Sequence, residues 1–194
     1  SILNGNCPES AFSYVSFAFL LVAMHEEYQK AYEYGQLSLA VNGKFDDIIL
    51  RCSVNHMYSY IHAWSRHFGE LSQYSKNAVD AGMQTGVLFF TAYAAADIYT
   101  FDPSIDLNTF VKEKEPYIDI IKRTNYLEAL EMGMTFFQLR KNFLGLTKDK
   151  YSLSDDSFDE DACLTRMKQG NITGVAHFYI SKLEIHYLYG DYKK

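Results

Sequence analysis

The sequence predicts an all-α protein, and three observations lead to this fold class. Only 3 Pro and 11 Gly occur among the 194 residues, and most of them fall between long stretches rather than inside them. Within those stretches apolar residues recur every three or four positions, as they do on one side of an α-helix. Hydrophobic residues make up 48% of the chain, enough for a substantial core. An all-β protein would need more turn residues.

Two helices are predicted before residue 45. The first covers about 8–24, where Pro8 suits the first turn because its missing N–H costs nothing there. Its apolar run YVSFAFLLVAM has 11 residues, whereas a membrane-spanning helix needs about 20. This run therefore predicts a helix buried on most sides and no membrane span. The second helix covers about 27–42, and we expect Gly43 to close it in the left-handed conformation.

The clearest helix lies between about 46 and 68. Its apolar residues recur at spacings of 4, 3, 4, 3 and 4, an unbroken stripe on one side of a helix. The stripe consists of Leu50, Val54, Met57, Ile61, Trp64 and Phe68. Asp46 and Asp47 stand at its start, where acidic side chains cap a helix and complement its dipole. We expect the helix to end at Gly69.

The remaining helices show the same periodicity with shorter or interrupted stripes. They are predicted at about 70–85, 87–101, 104–124, 125–146, 159–168 and 172–189. We expect Asp102 to cap the helix near 104, and Pro116 to kink this helix or divide it in two, because proline removes a backbone hydrogen bond and clashes with the preceding turn. The polar segment TKDKYSLSDDSFDED predicts a long exposed loop over about 147–158.

Short breaks between the helices predict antiparallel helix pairs, and one kind of break recurs. HEEYQKAYEYGQLSLA begins with a turn and places Ala31 inside the following helix. FGELSQYSKNAVDAG, about 40 residues later, repeats this plan with Gly69 at the turn and Ala78 inside. The final YGDYKK, Gly190 to Lys194, begins the same turn again. These segments resemble the tetratricopeptide-repeat family, whose second helices commonly open with a G-D-Y-x-K-A pattern.

The resemblance implies a tetratricopeptide-like α-α superhelix of about four antiparallel helix pairs, right-handed and forming a single domain over 1–194. Its repeats are more regular over 8–101, and the C-terminal half, 102–194, is irregular. The spacing of about 40 exceeds the family's usual 34 residues. Gly35 and Ser38 stand where the family has a larger aromatic residue and an alanine, and the family's Trp and Leu-Gly are missing from Val15 to Phe19.

Three small residues in the second helix, Ala31, Gly35 and Ser38, lie at helical spacing. We expect them to let a neighbouring helix approach to about 8–9 Å, the short end of usual interaxial distances. The alternative is a single amphipathic helix in an ordinary bundle.

A closer resemblance covers roughly residues 10–101. SAFSYVSFAFLLVAMHEEYQKAYEYGQLSLAV is similar to the helical-repeat segment of large bacterial and fungal signalling proteins, in which a kinase-like domain and an AAA-type ATPase precede the repeats and sensor or histidine-kinase modules often follow. It implies a scaffold or regulatory segment, although no kinase or ATPase motif occurs in these residues. Because the chain starts without Met and stops within YLYGDYKK, we expect a segment of a longer protein.

The candidate protein-binding residues lie on the predicted helix 46–68, on the side away from its apolar stripe. They are Arg51, Asn55, Tyr58, His62 and Arg66. This mixture of aromatic, amide and cationic groups suits a binding groove between helix pairs. An ordinary solvated helix face is the alternative.

The motifs that usually carry chemistry are missing, so we expect no catalytic residue, no cofactor and no metal. His56, His62 and His67 are 6 and 5 residues apart, whereas zinc ligands on one helix stand 3 or 4 apart. The acidic run DDSFDED offers Asp155, Ser157 and Asp159 as calcium ligands, but a calcium-binding loop also needs Gly at its sixth position and Glu at its twelfth. Glu160 and Arg166 stand at those positions. There is no G-x-S-x-G, no P-loop and no G-x-G-x-x-G.

Charge and cysteine usage restrict the partners and the compartment. The formal net charge is -6, and no basic cluster is present to neutralise phosphates, so nucleic acid is not an expected partner. Cys7, Cys52 and Cys163 are far apart and odd in number, which favours buried free thiols in the cytoplasm. The triplet NIT at Asn171 matches a glycosylation acceptor but also suits a helix cap.

The sequence therefore favours a non-catalytic scaffold whose partner is a protein or peptide, including other domains of the same parent chain. One alternative is a helical ligand sensor, which needs an enclosed apolar pocket of about 300 Å³ or more. A third is an enzyme whose residues converge only in the fold, which requires a cleft where two titratable groups meet at hydrogen-bonding distance.

Overall fold

The computed structural model describes residues 5–191, and helices are the only regular secondary structure in this range, which confirms the all-α fold class. A short 3₁₀ turn, Phe68–Glu70, precedes the fourth helix. The helices are α1 (Ser10–His25), α2 (Tyr28–Phe45), α3 (Ile48–Ala63), α4 (Leu71–Thr85), α5 (Leu88–Asp97), α6 (Leu107–Thr124), α7 (Leu127–Phe143), α8 (Glu160–Met167) and α9 (Ile172–Leu188). None of these helices is long and apolar enough to cross a membrane. Residues 192–194, and with them the end of the predicted third turn YGDYKK, lie outside the described range.

The chain folds as two compact units, the first ending at Ser104 and the second starting at Ile105. This division falls close to the predicted change from the more regular stretch 8–101 to the irregular stretch 102–194. Unit 1 contains α1 to α5, and unit 2 contains α6 to α9.

Unit 1 is organised around α3. Short connections join α1 to α2 and α4 to α5. Each helix of unit 1 packs on the helix that follows it along the chain. In addition, α3 contacts α1 and α5, so that four helices surround it. Its buried side chains accordingly point in several directions, from Cys52 and Val54 to Tyr58 and Ile61.

The three small residues of α2 lie in this packing, as the sequence predicts. Ala31, Gly35 and Ser38 are all buried. A Cβ at Gly35 would come within 2.8 Å of the Tyr58 ring on α3. The hydroxyl of Ser38 donates a 2.6 Å hydrogen bond to the carbonyl oxygen of Ala11 on α1. Small side chains on α2 therefore allow both neighbouring helices to come close.

A glycine plays the same part between α3, α4 and α5, and it yields a testable prediction. A Cβ at Gly82 would overlap Thr91 Oγ1 and lie 2.9 Å from Cys52 Sγ. Because Thr91 is β-branched and buried, Gly82→Ala is expected to destabilise the protein by about 2 kcal/mol net of the gain in helix propensity. Gly43 is the control, since a Cβ there meets nothing within 4 Å.

The measurement is urea denaturation of both variants. Gly43→Ala, in an exposed part of α2, is expected to stabilise the protein by about 0.5–1 kcal/mol. Equal effects of the two substitutions on the free energy of unfolding would contradict the close approach of Thr91 and Cys52 to Gly82.

Several helix ends differ from those predicted. Gly43 continues α2, and Asp46, with φ of 55°, takes the left-handed conformation that closes the helix. Asp47 alone caps α3, its Oδ1 accepting hydrogen bonds from Ile49 and Leu50 backbone N–H groups at 2.9 and 3.0 Å. Asp46 therefore closes the end of α2, and Asp47 caps the start of α3.

Two helices of unit 1 are shorter than predicted, and one is more exposed. The helix α3 ends at Ala63, so Trp64 and Phe68 lie beyond it and are exposed. The helix α5 ends at Asp97 instead of extending to 101. On α1 one side is buried, whereas Phe17, Phe19, Leu20 and Met24 are exposed, so the expectation of burial on most sides is wrong.

In unit 2, α6 is one continuous helix across Pro116, and the predicted division into two pieces does not occur. Asp106 caps it by accepting hydrogen bonds from the backbone N–H groups of Asn108 and Thr109, both at 3.0 Å. Asp102, the predicted cap, lies in unit 1 and accepts hydrogen bonds from Ser104 instead.

The starts of α8 and α9 are as predicted, because each has a local side-chain cap. Asp159 accepts a hydrogen bond from Ala162 N at 2.9 Å. Asn171 Oδ1 accepts one from Gly174 N at 2.8 Å, while its Nδ2 donates to Glu131 at 3.1 Å. The side-chain amide of the NIT triplet is thus used as a helix cap.

The segment 147–158 has no helix, as predicted, but it is not an exposed loop. Leu153 and Phe158 are buried with Cys163, Met167 and Phe178 in the core of unit 2. The apolar side chains within the polar segment fold inward, and hydrogen bonds to α7 hold its backbone. Of the three thiols, all free, Cys52 and Cys163 are buried and Cys7 is exposed, contrary to the prediction for Cys7.

Candidate functional site

An apolar pocket of about 220 Å³ opens on unit 1 where α3 ends. Nine residues line it: Ser59, Tyr60, Ala63, Trp64, Phe68, Leu71, Ser75, Asp97 and Phe101. Four of them are aromatic, and Asp97 carries the only charge of this lining. Trp64, Phe68 and Phe101 expose 61%, 46% and 46% of their surface, so the aromatic wall is open to a ligand.

Two chain breaks shape this pocket. After Ala63 the chain leaves the helix, and the backbone N–H groups of Ser65 and Arg66 both donate to the carbonyl of His62, at 3.0 and 2.8 Å. This turn directs Trp64 outward, where its ring stacks on Tyr28 with centroids 5.7 Å apart.

The second break follows α5. Tyr99 adopts a φ of 63°, its backbone N–H donates to Ser72 Oγ at 3.2 Å, and the Lys76 ammonium lies 4.6 Å from the centre of its ring. Both contacts come from α4. They hold the turn after α5 against α4 and set the position of Phe101 in the wall.

The polar edge of the pocket is a hydrogen-bonded pair. Tyr60 Oη donates to Asp97 Oδ2 at 2.7 Å, and His56 Nδ1 lies 3.8 Å from the same oxygen. Burial, together with the Asp97 carboxylate, raises the pKa of Tyr60 well above its usual value. Burial lowers the pKa of His56 to about 4. At neutral pH the phenol therefore keeps its proton and the imidazole is uncharged.

This chemistry bears on the enzyme alternative. The titratable pair at hydrogen-bonding distance that it requires is present in Tyr60 and Asp97. A phenol that keeps its proton can donate a hydrogen bond or act as a general acid, but it is neither a nucleophile nor a base. The pair is thus suited to fixing the Asp97 carboxylate at the edge of an apolar pocket.

The five predicted binding residues do not form an exposed row, which corrects that expectation. Asn55, Tyr58 and His62 are buried, with 6%, 0% and 2% of their surface exposed. Tyr58 packs edge-on against Tyr74, with ring centroids 4.7 Å apart, and bonds to Gln36. These three residues belong to the contacts of α3 with α2 and α4, because four helices surround α3.

The two arginines of that row remain accessible. Arg51 is half-buried and forms an ion pair with Asp46. Arg66 is exposed, and its guanidinium lies 3.8 Å from the centre of the Tyr32 ring. Arg51 lies near the start of α3 and Arg66 beyond its end, so they do not make one surface.

The residues weighed as metal ligands have other contacts. The imidazole of His67 accepts a hydrogen bond from Gly69 N at 3.1 Å and caps the 3₁₀ turn. Asp155 of the acidic run pairs with Lys141 and accepts a 3.0 Å hydrogen bond from Gln138. Over the described range 5–191, no three His, Cys, Asp or Glu side chains are grouped as metal ligands.

Unit 2 has a wider depression of about 610 Å³ along α6 and α7. Its lining mixes both charges, with Lys112 and Arg123 beside Glu115 and Asp119. A mixed, open surface of this kind is typical of solvated helices, whereas a concave apolar wall with few polar groups is typical of binding sites. The pocket of unit 1 is therefore the candidate site.

The pattern of the sequence does not identify this pocket. Its wall comes from the end of α3, the 3₁₀ turn, the start of α4 and the end of α5. The one available signal is that Trp64 and Phe68 continue an apolar stripe past the end of its helix. In comparisons with known proteins, no family model, no curated protein and no solved structure matches this chain.

Proposed function

We propose that this protein acts by binding another protein or a peptide, and that unit 1 takes one large apolar side chain of the partner into the aromatic pocket. The pocket carries this proposal. Its volume of about 220 Å³ lies below the range of about 300–1,000 Å³ usual for small-molecule sites, and it suits a single side chain. Exposed aromatic side chains around an apolar depression are typical of the energetic centre of protein interfaces.

The arrangement of unit 1 supports this class of function. A tetratricopeptide-like stack of the α1–α2 and α3–α4 hairpins is part of the proposal, and its support is the packing of α1 and α2 on α3 and the burial of Ala31. Helix-pair stacks commonly bind peptides. The proposed partner is a cytoplasmic protein or another domain of the same parent chain.

The first test uses a phage-displayed random peptide library selected on the purified protein. Ala63→Phe is expected to fill the pocket from its lining and to weaken the selected peptides at least about tenfold. Ala40→Phe is the matched control, because Ala40 is exposed on α2 and does not line the pocket. Peptides without Trp are titrated while the fluorescence of Trp64, the single tryptophan, is recorded.

Two results would support the proposal together: the peptides share one large apolar residue, and its replacement by Ala abolishes the Trp64 response. If no peptide is enriched, or if Ala63→Phe binds as tightly as Ala40→Phe, the proposal is wrong.

A small-molecule sensor is the second candidate, and the carboxylate of Asp97 at the edge of the apolar pocket favours it. Such a site would hold a compact apolar ligand with one polar group directed at Asp97. Benzylamine is a suitable probe, and toluene is its control without the amine. Tight binding of benzylamine, weak binding of toluene and no selected peptide would favour the sensor.

A further inference from the structure

Helix α9 of unit 2 has two apolar faces, one buried and the other exposed. Gly174, Phe178, Ser181 and Ile185 form the buried face, and α9 packs on α7 and α8. The opposite face consists of Ile172, Ala176, Tyr179, Ile180, Leu183 and Tyr187, all exposed. At 100° per residue these six positions fall within an arc of about 100°, centred opposite the buried face. We call them the outer face of α9.

The outer face is large and uncharged. Ile172 exposes 83% of its surface, and Leu183 and Tyr187 expose 67% and 65%. Together the six side chains expose roughly 700 Å², more than the 300–600 Å² of the largest apolar patch on a typical monomer. Two such faces in contact would bury at most roughly 1,400 Å², within the range of specific protein interfaces. The area therefore matches what a stable dimer needs.

The order of the residues selects a second copy of this chain as the occupant. Reversal about the midpoint between Tyr179 and Ile180 exchanges Ile172 with Tyr187, Ala176 with Leu183, and Tyr179 with Ile180. Every position of the outer face thus maps onto another position of the same face. A two-fold interface requires this property, since residue i of one copy meets residue j of the other and the reverse contact follows. In each exchanged pair a larger side chain meets a smaller one, which lets facing side chains interdigitate.

We propose that the outer face of α9 is the two-fold interface of a homodimer, in which α9 packs antiparallel on α9 of a second copy. Ala176 then leaves room for Leu183 of the second copy near each end, and the Tyr179 and Ile180 side chains meet at the axis. This proposal rests on unit 2 alone and does not depend on the pocket of unit 1.

Analytical ultracentrifugation of the full chain tests the dimer. The wild-type protein is expected to dimerise with a Kd in the micromolar range or below. Leu183→Glu is expected to be monomeric, with an unchanged far-UV circular dichroism spectrum because the side chain is exposed. Leu127→Glu is the matched control, since Leu127 is 61% exposed on α7, outside the outer face, and this variant should dimerise like the wild type.

A mixing experiment tests the antiparallel register. Ala176→Lys and Leu183→Glu are each expected to be monomeric alone and to form a heterodimer when mixed, because the register places residue 176 opposite residue 183. A parallel pairing would place identical residues opposite each other and would give no heterodimer.

Three results would overturn the proposal: a wild-type monomer at about 100 µM, a dimer that persists in Leu183→Glu, or failure of the mixed variants to associate. A monomer that binds phosphatidylcholine vesicles through α9 would also overturn it, because the occupant would then be a lipid surface.

Discussion

Replacing Asn142 with Asp is expected to destabilise the protein by about 4 kcal/mol at pH 7. Asn142, at the end of α7, is 1% exposed. Its Nδ2 faces four oxygen atoms of the segment after α7: Thr147 Oγ1 at 3.0 Å and the carbonyl oxygens of Asp149, Lys150 and Ser152 at 3.3, 3.2 and 2.9 Å. One buried amide thus organises the first half of segment 147–158, residues 147–152.

The substitution exchanges a donor for a charge in the same volume. An aspartate would direct a negative oxygen at acceptor oxygens in a buried site, which is unfavourable both as lost hydrogen bonds and as an unpaired charge. The carboxyl can avoid this by taking up a proton. The cost at pH 7 is therefore set mainly by protonating a group with an ordinary pKa near 3.9, about 4 kcal/mol.

Urea denaturation at two pH values tests this account. The difference between Asn142→Asp and the wild type should shrink by roughly 2–3 kcal/mol between pH 7 and pH 5, because protonation becomes easier. Asn108→Asp, at an exposed position in the first turn of α6, should change the free energy of unfolding by less than about 0.5 kcal/mol. The assigned role of the Asn142 amide would be contradicted if Asn142→Asp lowered the free energy of unfolding no more than Asn108→Asp does. A loss of stability that does not depend on pH would also contradict it.

The free energy of unfolding is also expected to fall as the pH decreases from about 6.5 to about 4, and His56 should account for about 3 kcal/mol of that fall. Burial lowers the pKa of His56 to about 4 in the folded protein. In the unfolded chain an ordinary histidine takes up a proton near pH 6.5. Between these values the unfolded state binds more protons, so the stabilisation is complete above pH 6.5 and is lost as the pH falls toward 4.

The groups facing His56 determine the size of this effect. Tyr60 on α3 and Phe90 and Tyr93 on α5 surround the imidazole with rings, at centroid distances of 5.1, 5.9 and 6.4 Å. These rings carry no negative charge that would stabilise the protonated imidazole. The Asp97 carboxylate lies 3.8 Å from Nδ1, but it already accepts the hydrogen bond of Tyr60.

Two histidine variants isolate the contribution. His56→Phe keeps an aromatic ring of similar size and should remove about 3 kcal/mol of the pH dependence. His62 and His177, whose pKa values burial also lowers, would leave a smaller dependence of the same sign. His25→Gln, at an exposed position, should behave like the wild type. The account fails if His56→Phe retains the full fall in stability between pH 6.5 and pH 4.

Local signals predicted some elements well. The starts of α8 and α9 follow from Asp159 and Asn171, since a side chain that caps a helix bonds to backbone groups only two or three residues away. The end of α3 was predicted wrongly because Trp64 and Phe68 continue the helical spacing of apolar residues. The turn after Ala63 directs them to the wall of a pocket. The spacing of these apolar residues does not indicate that the helix ends at this turn.

Local patterns in the sequence did not indicate the candidate site. Polar character suggests that Asn55, Tyr58 and His62 face solvent, yet all three are buried. The neighbouring helices supply hydrogen bonds to two of them: Asn77 on α4 donates to Asn55, and Gln36 on α2 donates to Tyr58. In the same way, the polar composition of segment 147–158 predicts an exposed loop, whereas hydrogen bonds from Asn142 hold its backbone against α7. Polar residues on a periodic element indicate solvent only where no other element supplies hydrogen bonds.

By itself the sequence determined the helical class, most helix starts and the small residues of α2, because apolar spacing, caps and side-chain volume act within one or two turns of chain. Only the tertiary structure decided which side of each helix is buried and where the aromatic pocket forms. The physical reason is that burial depends on how many elements surround a helix. Four helices enclose α3, whereas the outer face of α9 is exposed.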